Sequence, residues 1–286
     1  MIESFSIPVQ ITGNRTVYFY ELKNKHFFSL LKIIQNQDFK TLNSFFESLL
    51  SELAVDKDML LSLNFIDKII ALITIRSVCI SPDIDFENNK AIKVSKKIAL
   101  STVYKQLEQI QFTHECQIDD TFKIIFNIPN SLYYASIDEL IESCIDEIYL
   151  NNEKLLYSKE DKKQILESLP GAVFVKAKEF LDKLETILGR YILLKEDNNF
   201  DFKQIELSLV KNTGFGFLAS LYRDNLLNFY NLIFIFTYKL NMNLSEYFNL
   251  TPAESSLLLS FYVKEQEEIK KTSENKNVPI GKKVDN

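Results

Sequence analysis

The side chains able to do chemistry are few and scattered. The 286-residue chain holds two histidines, three cysteines and no tryptophan. His114-Glu115-Cys116 sets two metal-ligating types at i and i+2, on one face of a strand. No third or fourth ligand stands near, and tetrahedral zinc takes four. His26 has nothing metal-binding one helical turn further on. Cys79, Cys116 and Cys144 are an odd number with no CxxC pair, so reduced, part-buried thiols are expected rather than a disulfide framework. Gly214-Phe215-Gly216-Phe217-Leu218-Ala219 has the glycine spacing of a dinucleotide loop, in which helix-start amides cradle a pyrophosphate. The acidic residue required about 20 positions later is missing, and Phe234–Leu240 stands there instead. Two phenylalanines also crowd the approach, so a structural turn is the expectation. The acidic pairs Asp119-Asp120, Asp138-Glu139 and Asp146-Glu147 could supply an acid and a base, but they read as solvated faces. No GxSxG, Walker A or HExxH segment occurs. The expected catalytic residues, cofactors and metals are therefore none.

Such elements as would position a site are easier to read. Ser6–Ile11 and Thr16–Leu22, rich in β-branched and aromatic residues, flank Gly13-Asn14 and predict a hairpin. Pro8 puts the first strand at an edge. Three helices follow, started by Asn24, Asp38 and Asn64. The third, Phe65 to Val78, is apolar almost all round and so should be buried. The middle predicts a short hairpin from Asp83–Phe86 and Lys90–Val94, a helix over 99–110, and a strand Phe122–Ile128 closed by Pro129. Ser136-Ile137-Asp138-Glu139 is a capping box opening a stripe of Ile137, Leu140, Ile141, Cys144, Ile145 and Ile148. Asn151-Asn152 turns Ile148–Leu150 back onto Lys154–Tyr157. Further on come a helix from Ser158 to Leu169, another from Ala172 to Leu188 closed by Gly189, and a strand over 205–210. Of two final helices, one spans about Leu221 to Leu240 and the other opens with the capping box Thr251-Pro252-Ala253-Glu254. Residues 270–286 are expected to form a disordered tail.

The fold class is thus α+β. An N-terminal hairpin with three helices (1–80) leads to a mixed α/β segment (81–157), a mainly helical C-terminal region (158–269) and the tail (270–286). Composition fits a globular chain: 46% apolar and 25% charged residues. A net charge of −6, from 33 basic and 39 acidic residues, argues against direct nucleic-acid binding, which draws on a basic excess. No apolar run approaches the ~20 residues of a membrane-spanning helix. Met1-Ile2-Glu3-Ser4 lacks the basic start of a signal peptide, and a reducing cytoplasm is the expected place of synthesis.

The ordered string of segments resembles one family. Ile7-Pro8-Val9-Gln10-Ile11-Thr12-Gly13-Asn14-Arg15-Thr16-Val17-Tyr18-Phe19-Tyr20-Glu21-Leu22 is similar to the start of the baseplate hub assembly family of T-even-like bacteriophages. So is a buried helix ending in an Arg-Ser step, here Ile73-Thr74-Ile75-Arg76-Ser77. Phe126-Asn127-Ile128-Pro129 followed by Ile137–Tyr149 looks like that family's middle segment, where a helix ends in an Ile-Tyr strand. Ser158–Pro170 resembles its acidic helix, and Asn249–Glu254 its closing helix. The likeness covers about residues 5 to 265. Some relatives carry CxxC pairs, but residues 190–207 here hold no Cys, so no metal role carries over.

The resemblance implies a non-enzymatic tail protein, structural or assembling the baseplate hub. Its partners would be other hub or tail proteins, including the tape-measure protein. It would be made in the host cytoplasm and carried into the virion tail. A cellular scaffold or adaptor, and an enzyme with an unrecognised site, are the alternatives. The helix ending at Leu240 is apolar nearly all round, so it is either the centre of its domain or meets a partner. Phe229, Phe234 and Phe236 are the candidate interface residues.

Overall fold

A computed structural model describes residues 5–36, 39–87, 93–97, 113–132, 134, 136–156, 165, 171–192, 222 and 224–276. Strands β1 (Ser6–Ile11) and β2 (Arg15–Tyr20) pair antiparallel, with Val9 opposite Val17 and Ile7 opposite Phe19. Their alternation turns Ile7, Val9, Ile11, Val17 and Phe19 inward. Pro8 lies in the ribbon's outer strand, where no partner needs its missing N–H. The reversal runs through Gly13 and Asn14, both at positive φ (72° and 54°).

Helices α1 (Asn24–Gln35), α2 (Phe39–Leu53), α3 (Lys57–Leu61) and α4 (Phe65–Cys79) follow. α4 is buried on nearly every side, as its uninterrupted apolar character requires. It lies between the hairpin, α2 and the C-terminal region. Asn64 caps it, as expected: Asn64 Oδ1 accepts from Asp67 N–H at 2.9 Å. At the far end the Arg76 guanidinium donates to the carbonyls of Ser81 and Asp83 and holds the exit turn.

The expected cap at Asn24 is corrected. Lys23 is the residue before the first turn, and Lys23 N–H donates to His26 Nδ1 at 3.1 Å. Asn24 is one residue inside the helix, and its side chain turns elsewhere. The Asp38 cap, the 99–110 helix, the 205–210 strand and the Gly214–Ala219 turn lie outside the described residues, as does the Ser158 helix apart from Ile165.

β3 (Asp83–Glu87) pairs with β4 (Lys93–Lys97), and the expected start of the second strand at Lys90 lies outside the described residues. A four-stranded antiparallel sheet comes next: β5 (Thr113–Gln117), β6 (Phe122–Asn127), β7 (Ile145–Leu150) and β8 (Glu153–Lys154). Between β6 and β7 stands α5 (Ile137–Cys144), with Ser136 Oγ accepting from Glu139 N–H.

The expected run of this helix to Ile148 is overturned, because β7 begins at Ile145. The register slips at Ile125/Phe126, where Phe126 faces Ile145 while Ile125 faces Glu147. That bulge lets Ile145 and Ile148, three residues apart, both face inward. The spacing is what a helix would show, which is why periodicity misreads it.

α6 (Gly171–Ile192) runs through Gly189, the expected stop. A glycine inside a helix costs only about 1 kcal/mol relative to alanine and need not end it. The last elements are α7 (Leu226–Phe234), a π-helical turn (Ile235–Lys239), α8 (Leu244–Asn249) and α9 (Pro252–Lys276). The helix expected from Leu221 starts at Leu226, capped by Asn225 Oδ1. α9 continues to Lys276, so residues 270–276 are helical where a disordered tail was expected. Glu267 and Lys271 stand at i and i+4, the order that supports an exposed helix.

The core crosses the three segments read from the sequence. Phe65 N–H donates to the Pro129 carbonyl, tying the middle segment to the start of α4. Glu47 on α2 accepts from Lys68 Nζ at 2.9 Å and from Leu132 N–H at 2.6 Å. Asn24 Nδ2 donates to the Tyr247 carbonyl at 3.0 Å and to Ser255 Oγ at 2.6 Å, across more than 220 residues.

The C-terminal box is formed as expected. Thr251 Oγ1 accepts from Glu254 N–H at 3.1 Å, and Glu254 Oε2 accepts from Thr251 N–H at 2.6 Å. Thr251→Ala should cost about 1 kcal/mol, read as a lowered midpoint in urea; an unmoved midpoint contradicts it.

Candidate interaction surface

The groups with chemical potential are engaged in holding the fold. His114 lies on β5 with its ring stacked on Phe180 (6.0 Å between centroids). Burial, then Lys183 and Lys176, hold its pKa below the ordinary value. Its neighbour Glu115 pairs with Lys123 at 3.1 Å. The Cys79 thiol accepts from Leu22 N–H at 3.2 Å, and burial pushes it up to about 12. Burial also raises Cys116, whereas a nucleophilic cysteine needs its pKa lowered. All three cysteines are buried and unpaired with one another.

The acidic pairs are divided among local tasks. Asp119 accepts from Thr121 N–H (2.8 Å), Thr121 Oγ1 (2.8 Å) and Phe122 N–H (2.9 Å), closing the β5–β6 turn, and those bonds lower its pKa. Glu147 takes Lys154 and the Tyr149 hydroxyl, with the Lys154 bond the larger cause of its lowered pKa. Asp138 and Glu139 sit in the exposed first turn of α5. Asp146 stands on β7, outside the helix face where the spacing put it. Among the described residues no three His, Cys, Asp or Glu side chains gather as a metal set. Among them, too, no helix is long and apolar enough to cross a membrane.

His26 is an acceptor by geometry. Its Nδ1 takes the Lys23 N–H, so the neutral ring carries its proton on Nε2, 2.9 Å from Glu52. Burial lowers its pKa, with Lys25 and Lys23 adding to this and Glu52 opposing it. A second proton would have to sit on Nδ1, facing a donor. The folded protein therefore binds this proton less readily than the unfolded chain, whose histidine titrates near 6.5. Stability contributed here is complete above about pH 6.5 and falls as the pH drops through the lowered folded value. His26→Gln, which keeps an acceptor but cannot titrate, should flatten this part of the melting-temperature profile between neutral and mildly acidic pH. Parallel profiles for the two proteins would contradict it.

The three candidate interface residues separate cleanly. Phe229 and Phe236 are buried inside the chain, which corrects their reading as surface contacts. Phe229 stacks on Phe28 at 5.1 Å and meets Phe27 and Tyr247 edge-on, while Phe236 packs on Tyr247 at 5.0 Å. α1 and α8 thus cover one side of α7 and the π turn. Phe234 is on the other side, 54% exposed and stacked with Tyr238 at 5.2 Å. Leu227, Tyr230, Phe234 and Tyr238, at i, i+3, i+7 and i+11, form one exposed row. The sequence held that spacing, but an all-round apolar helix does not say which face is left open.

The N-terminal two thirds of the chain answers to a known family: a family model described as T4 bacteriophage base plate protein matches residues 5–189. The chain belongs to that family. It is a phage baseplate structural protein. No curated protein and no solved structure matches it. The matched span runs from β1 into α6, short of the residue 265 reached by the resemblance read from the sequence. The exposed row of this baseplate protein, and α9, lie beyond it. Membership replaces the cellular-adaptor alternative and makes other phage tail components its partners.

Proposed function

We propose that this baseplate protein is a non-enzymatic component or assembly factor of the central baseplate hub. It acts through protein–protein contacts with hub and tail proteins, the tape-measure protein among them. The family match over residues 5–189 carries the reading. The hub is favoured by the resemblance of the N-terminal hairpin and of the Arg76-Ser77 step to the hub assembly family. The non-enzymatic reading is supported by the engagement of His26, Asp119, Glu147 and the thiols in caps, turns and core. A contiguous exposed row such as Leu227, Tyr230, Phe234 and Tyr238 is the kind of surface that marks an interface. Synthesis in the host cytoplasm precedes incorporation into the tail.

The test is deletion of the gene from its phage, followed by electron microscopy and mass spectrometry of the tails. Tails or baseplates lacking the hub are expected, and complete infective particles would overturn the reading. Turnover of any compound in a broad hydrolase and transferase panel would overturn its non-enzymatic part.

A further inference from the structure

The exposed row on α7 and the π turn is bordered by two lysines. Lys32 Nζ lies 4.0 Å from the Phe28 ring centroid, and that ring packs edge-on against Tyr230 at 5.4 Å. Lys239 Nζ lies 5.3 Å from the Tyr238 centroid. Among the described residues neither lysine has a carboxylate at ion-pair distance, so the row's cations are held against rings and face outward. Asp224, at the row's beginning, accepts from Asn225 N–H at 2.6 Å.

A second surface in the same chain has the opposite character. α9 is anchored at its first turns by Thr251 and Ser255, both buried. Beyond them Leu257, Leu258 and Phe261 are 55%, 36% and 55% exposed. Lys264–Glu268 then carries three carboxylates against one ammonium. Leu257, Phe261 and Glu268 recur on one helix face, so apolar contact gives way to negative charge along it. From Leu257 to Glu268 is eleven steps, about 16 Å of helix, and the row from Leu227 to Tyr238 has the same number of steps, slightly shortened by its π turn.

The geometry points to a two-fold dimer in which α9 of each copy lies on the Leu227–Tyr238 row of the other. Its apolar turns cover the aromatic rings, and Glu265 and Glu268 approach Lys239 or Lys32. The proposal deepens the reading of this protein as one that works through protein contacts. The occupant follows from charge and area together. An apolar helix face that ends in the carboxylates of Glu265–Glu268 is present in every copy, and exchange uses both surfaces at once. One such contact is small, and two related by symmetry approach the roughly 1,200–2,000 Å² of a stable interface.

Sedimentation equilibrium on the full chain tests it. A dimer in the micromolar range is expected, weakening with salt. Phe234→Ser and Phe261→Ser, on the two halves of the contact, should each shift the mass to monomer with an unchanged thermal melt. If either lowers the melt, Leu227→Ser and Leu257→Ser, on the same halves and more exposed than Leu258, serve in its place. Lys239→Glu should weaken the dimer about fivefold, and Glu268→Lys added in the same chain should recover most of that.

A monomeric wild type overturns the proposal, as does a dimer that survives the α9 variants. A dimer broken by the row variants alone means another element occupies the row, which also overturns it. A monomer whose gene deletion still removes the hub leaves the proposed function standing. A dimer whose deletion leaves tails intact removes that function and not the dimer.

Discussion

Tyr222→Ala is expected to destabilise the protein by about 3–5 kcal/mol, the range for emptying a buried aromatic site. Tyr222 is wholly buried, with its ring 5.5 Å from that of Phe46. Its hydroxyl donates to the Leu72 carbonyl at 2.6 Å, in the middle of α4, and burial drives its pKa upward. The side chain therefore pins the chain just ahead of α7 to the most buried helix, 150 residues away in the chain. Tyr222→Phe keeps the ring and loses only the hydrogen bond, so about 1 kcal/mol is expected. Urea midpoints of the two variants check the pair. Equal effects would mean that the hydroxyl, not the packing, dominates. An Ala variant as stable as wild type would mean that the ring is not in the core.

Asp67→Ala should cost about 3 kcal/mol, because it strips the partner from several buried donors at once. The carboxylate is fully buried at the start of α4. It accepts from Thr12 N–H at 2.9 Å and from Asn64 N–H at 3.3 Å, and lies 3.6 Å from the Arg15 guanidinium. Burial raises its pKa, while the Thr12 and Asn64 bonds and Arg15 act against that. One side chain thus caps the central helix and fastens the hairpin turn to it. Asp67→Asn retains an acceptor oxygen and should cost less than half as much. Arg15→Ala, at a half-exposed position, should stay within about 0.5 kcal/mol. Thermal melts of the three variants give the order directly, and an Arg15 effect as large as that of Asp67→Ala would refute the assignment of the load to the carboxylate.

Local chemistry was legible wherever partners lie within four residues. Asn64, Ser136 and Thr251 each cap the helix that they precede, since a side-chain oxygen and the amide three residues on meet whatever the rest of the chain does. The hairpin over 6–20 was equally plain, from alternation and a turn whose residues accept positive φ. Asn24 shows the limit. It is as good a cap as Asn64 by type, but a carbonyl and a hydroxyl from residues 247 and 255 compete for its amide. The backbone donor at Lys23 then falls to His26, a residue with no strong capping preference.

By itself the sequence determined the α+β character, the burial of Phe65–Cys79 and the scarcity of reactive side chains. Each depends on composition or on short-range periodicity. Only tertiary structure decided where α5 yields to β7, because a bulge gave Ile145 and Ile148 a helix-like spacing within a strand. It also decided which face of residues 226–239 is closed. Phe229 and Phe236 are enclosed by α1 and α8, elements 200 residues before and directly after them, and Phe234 is left outside. All three residues are phenylalanine, equally hydrophobic, and a hydrophobic side chain carries no mark of the neighbour that will cover it.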